Sequence, residues 1–343
     1  MLTDEFWMQR ALDLALLGGG FVVPNPWVGC VIVRDGNILG EGYHAQYGGP
    51  HAEVQAFSNA IDAQGSTVYV SLEPCSHIGK TPPCADLLIK HQVKRVVICN
   101  LDPNPLVAGQ GVAKLQAAGI EVTLHVLAKQ GEIINRRFFY FHRNNKPFVT
   151  IKYASSADQF IAHASGKAQQ FSNPISHQLV HRLRAEHQAI LIGVNTANAD
   201  NPSLTTRDWP GQSPLRMVLD PHARMNQNTH LLQDEKPTLI FTYQVEKSIG
   251  EKKWVALGEI NFLGQLMAYC QYHRIQSILV EGGTKTIESF IGAVDVQEII
   301  HIESSQMLES GIPAPKIEMG TSGYHNLGKN NRWQVRLGKE NLS

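Results

Sequence analysis

Three short segments, Pro50-His51-Ala52-Glu53, Glu73-Pro74-Cys75 and Pro82-Pro83-Cys84, carry an imidazole, a carboxylate and two thiols in an order that few folds can bring to one point. Imidazole nitrogen and thiolate sulfur are the donors Zn²⁺ prefers. Three protein ligands leave a fourth tetrahedral position open, as a catalytic site needs. The local patterns say how the chain must bend to achieve this. Val68-Tyr69-Val70-Ser71-Leu72 reads as a strand running into Glu73-Pro74-Cys75, while Val54, Phe57 and Ile61 recur at helical spacing behind His51. A further helix spans Ala85 to His91, so Cys84 and His51 each stand at a helix start, where the thiolate form of cysteine is favoured.

Zinc lowers the pKa of a water molecule from ~15.7 toward ~7, which makes hydroxide available at neutral pH. Glu53, two residues beyond His51, is expected to stay off the metal, take the proton of that water and deliver it to a departing amine. Nucleobase deaminases carry this chemistry as His-x-Glu … Pro-Cys-x-x-Cys. Here eight residues, not two, separate Cys75 from Cys84. Taken singly, His-x-Glu is commonly a surface helix cap and an isolated cysteine a packed thiol; the joint order is what favours catalysis. A closed structural site would need Cys30 or Cys99 as a fourth ligand. Both lie in apolar strand runs that suit buried thiols, and Glu53 would then have no task.

Lys+Arg and Asp+Glu both total 30. This neutral balance counts against a polyanion binder and leaves an RNA-editing deaminase as a weak rival. The first residues, Met1 to Trp7, are acidic where a secretory signal is basic. Phe6, Leu12, Leu14, Ala15 and Leu16 are interrupted by Arg10 and Asp13, which suits an amphipathic helix. No run approaches the ~18 apolar residues of a membrane span. The five cysteines are too sparse for a disulfide framework, so the expected location is the cytoplasm.

The 343 residues predict two domains, 1–145 and 146–343, with His142-Arg143-Asn144-Asn145-Lys146-Pro147 as the linker. In the first, Val28–Val33 and Ile38–Tyr43 form a hairpin around Arg34-Asp35-Gly36-Asn37. Strands at Val68–Leu72, Arg95–Cys99 and Ile120–Leu124 alternate with helices, the last of them over Ala113–Ala118 and closed by Gly119. The fold class is α/β: an α/β/α sandwich on a mixed sheet. The second domain is α/β again. Its strands fall at Phe148–Tyr153, Ala189–Ile192, Leu215–Leu219, Thr238–Phe241, Ile278–Val280 and Glu298–Ile302, and a helix runs from Pro174 to Ala185. The tail from about Gly323 is polar and is assigned no element.

The runs Pro24-Asn25-Pro26-Trp27-Val28-Gly29-Cys30, Gly42-Tyr43-His44, Pro50-His51-Ala52-Glu53-Val54, Leu72-Glu73-Pro74-Cys75-Ser76-His77, Thr81-Pro82-Pro83-Cys84 and Asp102-Pro103-Asn104-Pro105 closely resemble the bifunctional deaminase/reductase family of riboflavin biosynthesis. The long spacer between the cysteines is itself a trait of that family. The resemblance implies a cytidine-deaminase-like domain that hydrolyses an amine from a phosphoribosyl-aminopyrimidine, with Zn²⁺ on His51, Cys75 and Cys84. Asn25, His44, Lys80, Asp102 and Asn104 would line the pocket, Lys80 as a point charge for the substrate phosphate. It further implies a dihydrofolate-reductase-like second domain that uses NADPH to reduce the ribose to ribitol. There Lys152, Arg184, Leu204, Arg207 and Glu281 would bind substrate, Arg184 and Arg207 as forks for its phosphate, and Ala154, Thr196, Asp200, Gly282, Gly283 and Thr284 the cofactor. A homo-oligomer acting on a small molecule, with no nucleic acid or membrane partner, follows from the same likeness.

The second domain departs from the family pattern at two places. The Ser-Leu-Asp-Gly-Lys/Arg stretch reads Ser156-Ala157-Asp158-Gln159-Phe160, and the Ser-x-Trp pair reads Ala168-Gln169-Gln170. Losing a hydroxyl donor and an aromatic face weakens binding by ~1–3 kcal/mol each. A deaminase carrying a non-catalytic reductase-like domain is therefore the alternative reading.

Overall fold

The apolar strand pairs of the first half assemble in the order their patterns predict. Helix α1 (Asp4–Leu16) is capped by Thr3, which accepts the Phe6 N–H, and precedes the antiparallel hairpin β1 (Gly29–Arg34) and β2 (Asn37–Tyr43). Then come α2 (Ala52–Ser58), β3 (Thr67–Leu72), α3 (Cys84–Lys90), β4 (Arg95–Asn100), α4 (Gln110–Ala117), β5 (Glu121–Leu124), α5 (Ala128–Ile134) and α6 (Arg136–Asn144). The sheet order is β2-β1-β3-β4-β5, antiparallel through β1 and β3 and parallel through β3, β4 and β5. Alternation along the strands sends side chains to two layers. Cys30, Ile32, Val68, Val70, Val96 and Ile98 pack with Ala52, Ala56, Ala85, Leu88 and Leu115, whereas Val31, Val33, Tyr69, Val97 and Cys99 pack with Trp7, Met8, Ala11 and Leu12 of α1. At Gly29 a Cβ would come within 2.0 Å of the Ala11 carbonyl, so α1 can lie on β1 only over a glycine.

The structure, a computed structural model, describes residues 2–76, 82–104, 107–164, 169, 171–317 and 323–337. It divides into two compact units, Met1–Asn145 and Lys146–Ser343. Among the described residues no helix is long and apolar enough to cross a membrane.

The second unit holds β6 (Phe148–Ser155), β7 (Phe160–Ala162), α7 (Pro174–Glu186), β8 (Ala189–Gly193), α8 (Val194–Asp200), β9 (Leu215–Leu219), α9 (His230–Gln233), β10 (Thr238–Thr242), β11 (Lys247–Ile249), β12 (Lys252–Ala256), α10 (Phe262–Tyr272), β13 (Ser277–Val280), α11 (Thr284–Ala293), β14 (Glu298–Ser304), β15 (Ile312–Pro313), β16 (His325–Asn326) and β17 (Asn331–Leu337). Ten strands form one sheet, β11-β12-β10-β9-β8-β13-β6-β14-β17-β16, parallel from β12 to β14 and antiparallel at both ends. Ile190, Ile192, Val218, Ile240 and Leu279 face one layer and Ala189, Leu191, Met217, Phe241 and Ile278 the other, so both faces are covered. Strands β7 and β15 pair separately. Helix α7 begins as its sequence dictates, with Pro174 in the first turn and the Asn173 side chain accepting the Ser176 N–H.

Several expectations need correction. The polar stretch His142-Arg143-Asn144 is the end of α6, closed by Asn145 in the left-handed region at φ 52°, so only Asn145 to Pro147 connects the units. Ile61 lies beyond the end of α2 and is fully exposed; the helix buries Ala56 and Phe57 instead. Phe6 and Leu16 of α1 are also exposed, and Trp7, Met8 and Ala11 provide the packing face. Helix α4 starts three residues earlier than its apolar spacing suggests. The tail folds as β16 and β17, with β17 completing the sheet against β14 over seven residue pairs from Glu298↔Leu337 to Ser304↔Asn331.

Candidate active sites

In the first unit, His51 is the residue that caps α2, with extended backbone at φ −70° and ψ 162°, and its ring is free to point away from the helix. Cys75 follows the end of β3, and Cys84 is the first residue of α3. Their ligand atoms lie within 4.8 Å of one another. His51 Nδ1 is 3.3 Å from Cys84 Sγ and 3.7 Å from Cys75 Sγ, and the Cys84 backbone N–H donates to Cys75 Sγ at 3.3 Å. The Cys75 thiol is pulled down to about 4, first by the hydrogen bond from Cys84 and then by His51, against the opposing effect of burial. Cys84 is pushed up because it supplies that proton. Two sulfurs beside an imidazole nitrogen form a donor set that a divalent cation fits once the thiol protons are released. Cys30 and Cys99 are buried thiols outside the cluster.

Glu53 stands in the first turn of α2 and is 3% exposed. Burial raises its carboxyl to about 7 against the pull of His51, and Cys84 hydrogen-bonds to it. Asn25 and His44 adjoin the same centre. His44 Nδ1 donates to the Pro50 carbonyl at 2.9 Å, which leaves Nε2 to accept from Asn25 Nδ2 at 3.1 Å. The His44 ring meets that of His51 edge to face at 5.8 Å. Burial lowers the His44 pKa, so the ring is the neutral tautomer that this pattern demands. Asp102 and Asn104 form a turn in which Asp102 Oδ1 accepts the Asn104 N–H at 2.8 Å. Lys80 lies outside the described residues.

In the second unit, the C-terminal ends of the parallel strands open on a cavity of about 680 Å³. Lys152, Ala154, Thr196, Asp200, Glu281, Gly282, Gly283 and Thr284 all line it. The Glu281-to-Thr284 segment leaves β13 and enters α11 there, with Gly283 at the cap and its N–H donating to Thr196 Oγ1 at 3.2 Å. Gly193 is needed because a Cβ would come within 2.4 Å of Thr286 Oγ1. Phe171, Arg224 and the β7–β15 pair, through Ile161, Ala162 and Ile312, complete the wall. None of these carries a sequence signal; Ile161 is the one β-branched residue of Phe160-Ile161-Ala162, too little to mark a strand.

Three expected substrate residues behave differently. Arg184 is not available as a free fork for phosphate. Its Nε and Nη2 donate to both oxygens of Glu281 at 3.1 and 2.9 Å, and Nη1 donates to the Thr205 carbonyl. Leu204 is 2% exposed in the apolar core with φ 54°, so only its backbone can meet a ligand. Arg207 is exposed, donating to Thr205 Oγ1 through its side chain and to His181 Nδ1 through its backbone N–H. Burial by itself would raise Glu281, but Arg184 and Lys152 outweigh it and hold the carboxyl down to about 2. Burial lowers Lys152. Ala168 and Gln170 lie outside the described residues. Gln159, at φ 65°, donates to Glu303.

His177, His181 and Asp208 form a second group of metal-type donors. Because His181 Nδ1 accepts the Arg207 N–H and burial keeps the ring neutral, its proton sits on Nε2, facing Asp208. The lone pair a metal would need is therefore occupied.

The comparisons with known proteins decide the family. Residues 1–100 match the cytidine and deoxycytidylate deaminase zinc-binding region and residues 147–307 the RibD C-terminal domain. The riboflavin biosynthesis protein RibD of Aquifex aeolicus is 36% identical over 90% of this chain and 89% of its own. The chain belongs to the RibD family. RibD of Acinetobacter baumannii superposes with a TM-score of 0.89 at 31% identity, covering 98% of this chain and 99% of that one. The diaminohydroxyphosphoribosylaminopyrimidine deaminase/5-amino-6-(5-phosphoribosylamino)uracil reductase of Thermotoga maritima does so with 0.89 at 32%, covering 98% of both. A RibD protein is a two-domain α/β enzyme of riboflavin biosynthesis, a deaminase with a zinc-binding region followed by a reductase. The two-activity reading is thus favoured over the non-catalytic second domain.

Proposed function

We propose that His51, Cys75 and Cys84 hold zinc, and that Glu53 moves the protons of a hydrolytic deamination whose substrate is the diaminohydroxyphosphoribosylaminopyrimidine named for the Thermotoga relative. The convergence of three donor atoms within 4.8 Å beside a carboxylate that is 3% exposed carries this reading. Zinc, when bound, supplies the Lewis acidity that makes water nucleophilic at neutral pH. Glu53 takes one proton of the attacking water and gives it to the ring nitrogen, then takes the second, released as the added hydroxyl becomes the ring carbonyl, and gives it to the amine that leaves as ammonia. Asn25 and His44 present a fixed amide and a neutral imidazole to the ring edge, and Asp102 and Asn104 meet the sugar side. Lys80 is assigned to the phosphate by resemblance. The test is ammonia release from the purified protein together with its zinc content. One zinc per chain with turnover is expected; turnover in zinc-free protein would refute the reading.

In the second unit, the deaminated product would be reduced at its ribose. Gly282 and Thr284 offer backbone N–H groups at the start of α11 to a cofactor phosphate, Gly283 holds the turn between them with its N–H on Thr196, and Ala154, Thr196 and Asp200 stand on the surrounding wall. NADPH, when bound, supplies the hydride. Lys152 and Glu281 face the same space, Lys152 as the donor to the ribose oxygen, while Arg184 fixes Glu281 and Arg207 and the Leu204 backbone lie toward the substrate end. NADPH consumption with the deaminated pyrimidine tests this; none at saturating substrate would leave a deaminase alone. The reading extends to a cytoplasmic homo-oligomer, checked by light scattering of the purified chain and by cell fractionation.

A further inference from the structure

We propose that Glu73 is a positioning residue that fixes the Asp102–Asn104 turn relative to the metal-ligand segment, and so sets substrate affinity in the deaminase site. The inference rests on the reading that this turn meets the substrate. Glu73 lies two residues before Cys75, and its backbone N–H donates to the Asn100 carbonyl, continuing the β3–β4 pairing. Its side chain is 4% exposed and turns away from solvent into the loop between β4 and α4. Oε2 accepts the backbone N–H groups of Asp102 at 3.2 Å and Gly109 at 3.0 Å. Oε1 accepts those of Gly111 at 2.9 Å and Val112 at 3.3 Å.

One carboxylate thus satisfies four main-chain donors on two stretches of chain. Two of them belong to the first turn of α4, where the cap, Gly109 at φ 76°, has no side chain to offer. Orphan N–H groups at a helix start need an acceptor, and the positive end of the helix favours a charged one. Glu73 fills the capping role from outside the helix. The packing leaves no slack: a Cβ at Gly111 would approach the Pro74 carbonyl to 2.1 Å. Segment 73–75 and the start of α4 therefore lie in direct contact. The third donor, Asp102, begins the turn that Asp102 Oδ1 closes on the Asn104 N–H. Pulling on Glu73 moves the turn; pulling on the turn strains the segment that ends at Cys75. Such a tie is stiffer than any single hydrogen bond because charge-assisted bonds to one rigid acceptor reinforce each other.

The test compares wild-type protein with Glu73→Gln, Glu73→Asp and Asn104→Ala, each as full chain, for zinc per chain, deaminase kcat and KM, and Tm. Glutamine keeps the shape but turns an NH₂ toward two of the four donors. We expect Glu73→Gln to keep one zinc and to raise KM at least tenfold with kcat changed less than threefold. Glu73→Asp, which keeps the charge on a shorter arm, should fall between it and wild type. A fall in Tm with KM unchanged, or insoluble protein from both Glu73 variants, would make Glu73 a stability residue and overturn the proposal. Asn104→Ala separates the two readings. If its KM is unmoved, the turn does not hold substrate. If its KM rises while that of Glu73→Gln does not, the turn binds substrate but Glu73 does not place it.

Discussion

The two candidate sites are built in opposite ways. In the deaminase unit, function is concentrated in side chains that converge on one point from three segment ends: the cap of α2, the end of β3 and the first residue of α3. In the reductase unit, a cavity of about 680 Å³ is walled by residues from glycine to Phe171, and its Glu281 is held by Arg184 and by the charge of Lys152. A site made of reactive atoms fails when one atom changes. A site made of shape and paired charge degrades by degrees, and the order of the following effects expresses that contrast.

Loss of the metal or of Glu53 should have the largest effect and leave the other unit untouched. Glu53→Gln is expected to retain zinc and lose deamination by ~10²–10⁴-fold, the usual contribution of a positioned proton carrier. Removing zinc with a chelator should abolish deamination altogether. In both cases NADPH oxidation with the deaminated substrate should stay within twofold of wild type. Ammonia release, NADPH absorbance and metal analysis on the same samples decide this, and a parallel fall in both activities would break the independence of the two sites.

Breaking the charge pair of the second unit comes next. Glu281→Gln leaves Arg184 and Lys152 facing each other without the anion between them. Arg184 and Glu281 side chains are each only 12% exposed. Removing one member of such a pair costs about 3 kcal/mol of stability, so Tm should fall and NADPH oxidation drop ~100-fold, with zinc content intact. Full NADPH turnover in this variant would show that the pair is only structural. A smaller effect is expected at Gly193, where an added methyl must displace the Thr286 hydroxyl toward the cavity. Gly193→Ala should raise the KM for NADPH about tenfold, in keeping with the ~1–3 kcal/mol of overpacking.

The same contrast explains what could be read from the sequence. The meeting of His51, Cys75 and Cys84 was legible because donor residues of these types stand close to strand and helix ends. Strand cores such as Val96–Cys99 and Ala189–Ile192 were legible because they are buried on both faces and continuously apolar. The strand Asn331–Leu337 was missed although Arg332, Gln334 and Arg336 alternate with Trp333, Val335 and Leu337, a two-residue period that marks a strand; the polar tail around it drew attention away. Arg184 was expected to face a phosphate. Its engagement with Glu281 depends on a contact 97 residues away along the chain that spacing cannot reveal. Glu73 was visible as part of a motif, but its four main-chain partners depend on where Asp102, Gly109 and the start of α4 come to lie.

The smallest effect tests whether every buried charge pair in the second unit serves the cavity. Arg216, on β9, donates to both Asp234 oxygens at 2.6 Å, and Lys252, on β12, reaches Asp234 Oδ1 at 3.1 Å. None of the three lines the cavity. Arg216 holds the Asp234 carboxyl well below the usual range, with burial opposing and Lys252 assisting. Because the folded-state value is depressed, the stabilisation is complete above the unfolded value of ~3.9 and is lost as pH falls from there through the folded value. Asp234→Asn should therefore cost about 1–2 kcal/mol at pH 7. That is less than a fully buried pair, since Asp234 is 30% exposed and Arg216 keeps the carbonyls of Ser203, Lys236 and Pro237 as acceptors. The gap in urea midpoint between the two proteins should narrow steadily below about pH 4, while NADPH turnover at pH 7 stays unchanged. A gap as large at pH 2 as at pH 7 would mean that shape, not charge, ties β9 to β12. A loss of turnover would mean that even this remote pair tunes the cavity, and the division between structural and functional charge in this unit would have to be redrawn.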